Sequence, residues 1–399
     1  MKFLFKNCYM PFKNEIQDIY IKDGYIEKIY SNIENITVDK IINVDKRIVI
    51  NGFVDSHMHL DKALIGEKAS NQSGTLNEAI EIMTNYKENM SEADIKNRAI
   101  KTLELSYKNG TRYLRTHVDV DEIIELKGIR AILELKEEFK EKIDIQVVAF
   151  PQEGFIENIN NYKYLEDALK LGADIVGGIP AVEKQPKEHI DMIFELAKKY
   201  NKDIDMHIDE TDDPDKLTVK YLAEKTIYEN YQGRVVAGHC CSLSANKLKD
   251  IKNILSLIKK AKIGIVTLPS TNLYLQGRND DKNYRRGITR VKDLLEKGID
   301  VSIGSDNIRD PFNPFGNGNL LEEALIAAHG SHMGGIDDLS NIFDMISVIP
   351  SSLFNNNYEF KEKQRARFIV IDTNKKHKAI IERSNIWGHF KKEEFKWNY

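Results

Sequence analysis

Cysteine is scarce: three stand in 399 residues, at positions 8, 240 and 241. Neighbours in sequence rarely bridge, so no disulfide framework is expected, and a reducing compartment fits best. Charge of one sign is missing as well. The 58 Lys and Arg against 62 Asp and Glu leave a net −4, too even for a nucleic-acid or membrane-surface partner. No apolar run reaches the roughly 18 residues of a membrane helix. The N-terminal MKFLFKNCYM is too short for a signal-peptide core, and no small-residue cleavage site follows it. A soluble cytoplasmic protein is the expectation. Apolar side chain is not lacking, with 41% hydrophobic residues, 16 Phe and 17 Tyr, which excludes a mainly disordered chain.

Two kinds of segment alternate along the chain. Short β-branched runs end in polar residues: RIVINGFVDSH (47–57), TRYLRTHVD (111–119), KIDIQVVAFPQ (142–152) and ADIVGGIP (173–180). KDIDMHIDE (202–210), RVVAGH (234–239), KIGIVTLP (262–269) and IDVSIGSD (299–306) continue the series. Stretches with helical spacing lie between them, such as 76–109, 123–141, 189–200 and 243–261. Strands apolar on both faces, repeated eight times with helices between, predict a closed parallel (β/α)8 TIM-like barrel over 49–345.

The flanks read differently. Residues 1–48 alternate in short pieces around a Gly turn, as in DIYIKDGYIEKIY, and RARFIVID and KAIIER near the other end do likewise. A small β-sandwich domain built from 1–48 and 346–399 is expected, with KKEEFKW as a solvated tail.

In such a barrel the chemistry sits at the C-terminal ends of the strands. Strand one ends in His57-Met58-His59, strand five in His207 with Asp209 and Glu210 after it, strand six in His239, and strand eight in Asp306. Residues i and i+2 of a strand share a face, so His57 and His59 both reach the mouth. Imidazole and carboxylate ligands suit Zn²⁺ or Fe²⁺, and a bound metal lowers the pKa of its water to make a hydroxide nucleophile. A lone His-x-His is weak. Five histidines (57, 59, 117, 207 and 239) at strand ends favour a metal.

GFVDSHMHLDKAL (52–64), RTHVDVD (115–121), IQVVAFPQEG (145–154) and LGADIVGGIP (171–180) resemble the amidohydrolase superfamily, and within it the cytosine deaminase group. HIDETDDP (207–214), LQGR (275–278), RRGITRV (285–291) and DNIRDPFNPFGNGNLL (306–321) extend the resemblance over most of the barrel. It implies that His57, His59, His207 and Asp306 ligate one divalent metal ion, Fe²⁺ or Zn²⁺. Many superfamily members hold two metals through a carboxylated Lys ending strand four. The matching region is AFPQEG, with Gln152 and no Lys, which implies a mononuclear site. By the same resemblance Gln152 reads a pyrimidine's amide edge, donating and accepting at once. Glu210 is the implied proton shuttle, His239 orients the hydroxide, and Asp306 accepts a proton from the water with its free oxygen. The family often assembles through barrel faces, so a homo-oligomer is consistent with it.

Two departures bear on the substrate. Asn307 follows Asp306 where the family often has a second acid, and Phe312 stands where Trp is frequent. Asn307 is expected near the substrate ring, and Phe312 either stacks on it or covers it as an apolar lid. Blander roles are expected elsewhere: His117 as a core or supporting histidine, Asp61 and Asp119 as orienting partners, Asp209 as structural, and Cys240 and Cys241 as small hydrophobes. His329 and His332, read at i and i+3 on a helix, are surface or packing residues, and Lys62 is either a substrate contact or a loop charge. The reading is hydrolytic deamination of cytosine to uracil and ammonia, acting on a small heterocycle. The alternatives are the same chemistry on isocytosine, creatinine-like or triazine rings, or a non-catalytic metal-binding barrel.

Overall fold

The computed structural model describes residues 1–354, 358–391 and 393–398. The N-terminal strands are β1 (Lys2–Met10), β2 (Glu15–Lys22), β3 (Tyr25–Tyr30), β4 (Lys40–Asn43) and β5 (Ile48–Ile50). Eight strands follow: β6 (Phe53–Met58), β7 (Thr111–Asp119), β8 (Asp144–Phe150), β9 (Ile175–Gly178), β10 (Asp203–Ile208), β11 (Val235–His239), β12 (Gly264–Thr267) and β13 (Val301–Ile303). They pair in parallel in sequence order, with helices between. A parallel bridge from Met58 to Asp306 brings the last strand round to the first, making a TIM-like barrel. Each expected strand run overlaps one of these strands.

RIVINGFVDSH is two strands rather than one. Ile48–Ile50 pairs with the end sheet, and the barrel strand starts at Phe53. Gly52 makes the break: its φ is +131°, and a Cβ there would lie 2.0 Å from the Arg112 side chain.

The end sheet is mixed and separate, formed from β1 to β5 together with β14 (Phe368–Ile371), β15 (Ile386–Lys391) and β16 (Glu394–Trp397). It has its own apolar core, in which Phe5 packs edge-on against Phe368 at 5.0 Å and Phe390 at 5.4 Å. Two expectations at this end are overturned. KAIIER lies in a helix, Lys376–Glu382, which buries Ala379 and Ile380 on one side. KKEEFKW is no solvated tail: β16 pairs antiparallel with β15 and buries Phe395, while Trp397 packs at 4.2 Å on Trp387.

Two details of position also differ. AFPQEG closes β8, the third barrel strand; the fourth, β9, runs out into Ile179-Pro180, which carries no Lys either. His332 lies beyond the helix Leu320–Gly330, so His329 and His332 do not share a helical face. Among the described residues no helix is long and apolar enough to cross a membrane.

Candidate active site

The mouth of the barrel gathers His57 from β6 and His59 just past it, His207 from β10 and Asp306 beyond β13, all buried. One ligand atom from each lies within 4.8 Å of all the others. His59 Nε2 is 3.2 Å from His207 Nε2 and 3.4 Å from Asp306 Oδ1, and His57 Nε2 is 3.6 Å from the same oxygen. Burial holds the three imidazoles well below their usual pKa, so they are neutral and their lone pairs are free. Both ring nitrogens of His57, Nδ1 of His59 and His207, and Asp306 Oδ2 find no hydrogen-bond partner among the described residues. Buried polar atoms normally find one. Three neutral imidazoles and a carboxylate with orphaned atoms fit a divalent cation.

The backbone places these groups at some cost. Asp209, His239 and Asp306 have φ of 51°, 65° and 56°, conformations that non-glycine residues rarely hold and that cluster at functional sites. Gly304 lets strand eight close on strand one, since a Cβ there would come within 2.6 Å of the His57 carbonyl and 2.8 Å of its Cβ.

Around the quartet lies a cavity of about 220 Å³. Glu210, His239, Gln152, Asn307, Phe312 and Lys62 line it, with Leu76, Ile80, Ile179 and Val182 as apolar wall. Burial, with Asp306 nearby, raises the Glu210 carboxyl well above the usual range. His239 Nδ1 lies 3.0 Å from the Asn272 amide nitrogen and 3.4 Å from Glu210 Oε1. The amide N–H can only donate, so Nδ1 accepts and the ring hydrogen sits on Nε2. Burial lowers His239 to about 4, which keeps it neutral.

Beside the cavity lies a second buried cluster, this one of paired charges. Lys62 Nζ is 2.9 Å from Asp119 and donates to Gln152 Oε1 at 2.8 Å. Lys87 reaches Asp119 at 2.7 Å, Asp121 at 2.9 Å and Glu153 at 3.0 Å. Burial alone would lower Lys87; the three carboxylates outweigh it and hold the ammonium pKa well up. Asp119, which burial would raise, is held at about 2 by Lys62 and Lys87.

The amidohydrolase family's model matches residues 40–356. The chain belongs to the amidohydrolase family. N-isopropylammelide isopropyl amidohydrolase of Pseudomonas sp. (strain ADP) is 33% identical over 390 residues, which cover 96% of this chain and 93% of that one. Pterin deaminase of Rhizobium rhizogenes is 32% identical over 322 residues, 79% of this chain and 73% of its own. The crystal structure of 5-methylcytosine deaminase from Klebsiella pneumoniae with 5-fluorocytosine superposes with a TM-score of 0.93 at 32% identity, covering 99% of this chain and 97% of that one.

In this amidohydrolase every candidate site residue of the sequence reading falls at one end of the barrel. Lys62 is not a loop charge, being buried between Asp119 and Gln152. Lys62 donates to Gln152 Oε1, which leaves the oxygen's second lone pair and the amide hydrogens for a ligand. His117 stacks on His57 at 3.9 Å and sits 3.3 Å from Asp205. His57, His117 and Asp205 form a second close group, but Asp205 is already bound by Arg115 at 2.7 Å. Asp209 accepts the backbone N–H groups of Thr218 and Val219 at the start of a helix, facing away from the cavity. Cys240 and Cys241 are buried thiols raised by burial, and Asp61 accepts the Asp119 N–H at 2.9 Å.

Sequence reasoning missed Asp310, whose Oδ2 accepts from the Asn307 amide at 2.7 Å and whose Oδ1 accepts the backbone N–H groups of Phe312 and Asn313. An Asp just before Pro311, three residues after the strand-eight pair, is a turn signal that points to it. It also missed Asn272, which fixes the His239 tautomer.

Proposed function

We propose that this amidohydrolase removes the amine from an amino-substituted nitrogen heterocycle, with cytosine as substrate and uracil and ammonia as products. One observation carries the reading: Glu210, its carboxyl pKa raised by burial, and His239 share a small cavity with a His57-His59-His207-Asp306 quartet that could hold a cation. A cavity of about 220 Å³ suits one small ring better than a nucleoside or a polymer.

A divalent cation, Fe²⁺ or Zn²⁺, held by the quartet would supply an activated water as nucleophile. The chain's own groups do the rest. Asp306, through its second carboxylate oxygen, takes the proton that the water releases. His239, with its hydrogen on Nε2, orients that water. Glu210 gives its proton to the ring nitrogen beside the amine-bearing carbon, weakening that carbon's hold on its electrons. Asp306 returns the water's proton to the emptied Glu210, which passes it to the amine, because ammonia leaves far more readily than amide anion; the hydroxyl proton released as the new carbonyl forms restores Glu210. Phe312 and the aliphatic wall hold the flat ring and limit water.

The resemblance to 5-methylcytosine deaminase over 99% of the chain supports a pyrimidine. The N-isopropylammelide relative, matched over 96% of the chain, favours an amino-oxo-triazine as the second reading. The test is ammonia release from cytosine, 5-methylcytosine and an amino-oxo-triazine, with bound metal measured on the same sample. Release from cytosine with about one ion per chain is expected. Release from the triazine alone would move the substrate, and neither metal nor release would leave a binding barrel.

A further inference from the structure

We infer that residues 276–287 form a strap that positions Glu210, with Arg285 and Gln276 as the positioning residues that hold its stretch of backbone. The inference rests on the deaminase reading above. It gives a task to LQGR (275–278) and RRGITRV (285–291), two stretches that the reaction leaves without a role.

Glu210 stands where the barrel gives it little support. β10 ends at Ile208, and residues 209–217 belong to no helix or strand. Asp209 turns the chain with a φ of 51°, a conformation that persists only where neighbours over-determine it. Before Glu210 the turn is fixed by the Asp209 carboxylate, which accepts the Thr218 and Val219 N–H groups at 2.9 Å each. After it the strap takes over. Gln276 Nε2 donates to the Glu210 carbonyl at 3.3 Å, the Gly277 N–H to Asp212 Oδ2, and Arg285 Nη1 to the Asp212 carbonyl.

The strap is itself braced. Asp280 grips Arg285 through Nη2 at 2.6 Å and Nε at 2.9 Å, and accepts its backbone N–H at 3.0 Å. A planar guanidinium gripped along that edge presents Nη1 to Asp212 in a fixed direction. Two glycines let the strap close on itself. Gly277 and Gly287 have φ of +72° and +67°, and Cβ atoms there would lie 2.3 Å from the Arg285 carbonyl oxygen and 2.2 Å from Gln276 Cβ.

The strap continues the helix Pro269–Leu275, whose Asn272 holds His239 at 3.0 Å. One piece of chain therefore aims both Glu210 and His239, whose Oε1 and Nδ1 stand 3.4 Å apart. Arg285 does not line the cavity, so it acts through Glu210 rather than on the ring. Proton transfer needs hydrogen-bond reach, and a misplacement of about 1 Å can cost a hundredfold in rate.

The experiment is a double-mutant cycle between Arg285→Ala and Glu210→Gln, reading kcat, KM and bound metal for ammonia release from cytosine and an amino-oxo-triazine. Arg285→Ala is expected to lower kcat by at least about tenfold, with KM and metal content within about twofold of the parent's. Beside Glu210→Gln the same change should cost less than about twofold, because an amide with no proton to give gains nothing from being aimed. Gln276→Ala removes only the bond to the Glu210 carbonyl and runs in the same cycle, which covers an Arg285→Ala chain that does not fold. It should lower kcat by at least about threefold, again only when Glu210 is present. Smaller losses overturn the inference, and so do losses that recur undiminished beside Glu210→Gln, as a strap serving stability alone would give. Near-normal turnover in Glu210→Gln itself overturns the proton-shuttle assignment and this inference with it. No ammonia from either ring with the parent enzyme overturns the deaminase reading on which both stand.

Discussion

Two buried polar clusters lie side by side at the mouth of this barrel, and they obey opposite rules. In the Lys62-Lys87 cluster every ammonium has a carboxylate within 3.0 Å, and mutual attraction overrides burial at Lys87 and Asp119. In the His57-His59-His207-Asp306 quartet the imidazoles are neutral and several polar atoms have no partner among the described residues. A cluster paired charge to charge is architecture: it holds Lys62 against Asp119 and Gln152. An unsatisfied cluster of the same burial is incomplete without a ligand. In the proposed reading the first group shapes the site and the second holds the ion that the chemistry needs.

The sharpest break between the two comes from Asp306→Asn. It removes one buried carboxylate without changing shape, so metal content should fall to near zero and turnover by roughly 10³ or more. The thermal midpoint of the metal-free protein should hold or rise, because an uncompensated carboxylate is gone. A large loss of metal-free stability would mean that the quartet is structural.

Lys87→Met should do the reverse. Removing one partner of a buried ion cluster leaves Asp119, Asp121 and Glu153 facing one another, at a cost of about 3–5 kcal/mol. Urea unfolding with metal titration reads both effects, and the quartet's metal stoichiometry should survive in the folded fraction. A variant as stable as the parent would show that the cluster's pairing does not hold this end of the barrel together.

A smaller effect belongs to Glu323, which lies outside both clusters. Its carboxyl is bonded to the Ser270 hydroxyl at 2.8 Å, yet burial raises it from 4.5 to about 8. The folded state thus holds a proton that the unfolded chain has already released, so stability is greatest at low pH and falls as pH rises from about 4.5 to 8. Glu323→Gln should flatten that slope in thermal melts between these limits, and an unaltered slope would contradict the assignment.

Much of this was legible in the sequence, for a physical reason. Strand runs ending in His57-x-His59, His207, His239 and Asp306 announce themselves because barrel chemistry collects at strand ends and strand periodicity puts alternate residues on one face. The parts that were not legible depend on side chains meeting across distant segments. Lys62 could be either a substrate contact or a loop charge until Asp119 and Gln152 arrive from two other segments and bury it, and nothing in the sequence says that Lys62 holds the Gln152 oxygen. At the C-terminus, KAIIER is too short for its period to separate strand from helix, and KKEEFKW hides one buried ring, Phe395, among charges.

The central claim is that Glu210 moves the proton beside a cation held by the quartet. Glu210→Gln keeps the shape of the cavity and touches none of the four ligand side chains, so its metal content and its cytosine turnover, measured on one sample, test that claim directly. Full metal with turnover reduced by roughly 10²–10⁴ is the predicted result. Full metal with near-normal turnover would contradict it.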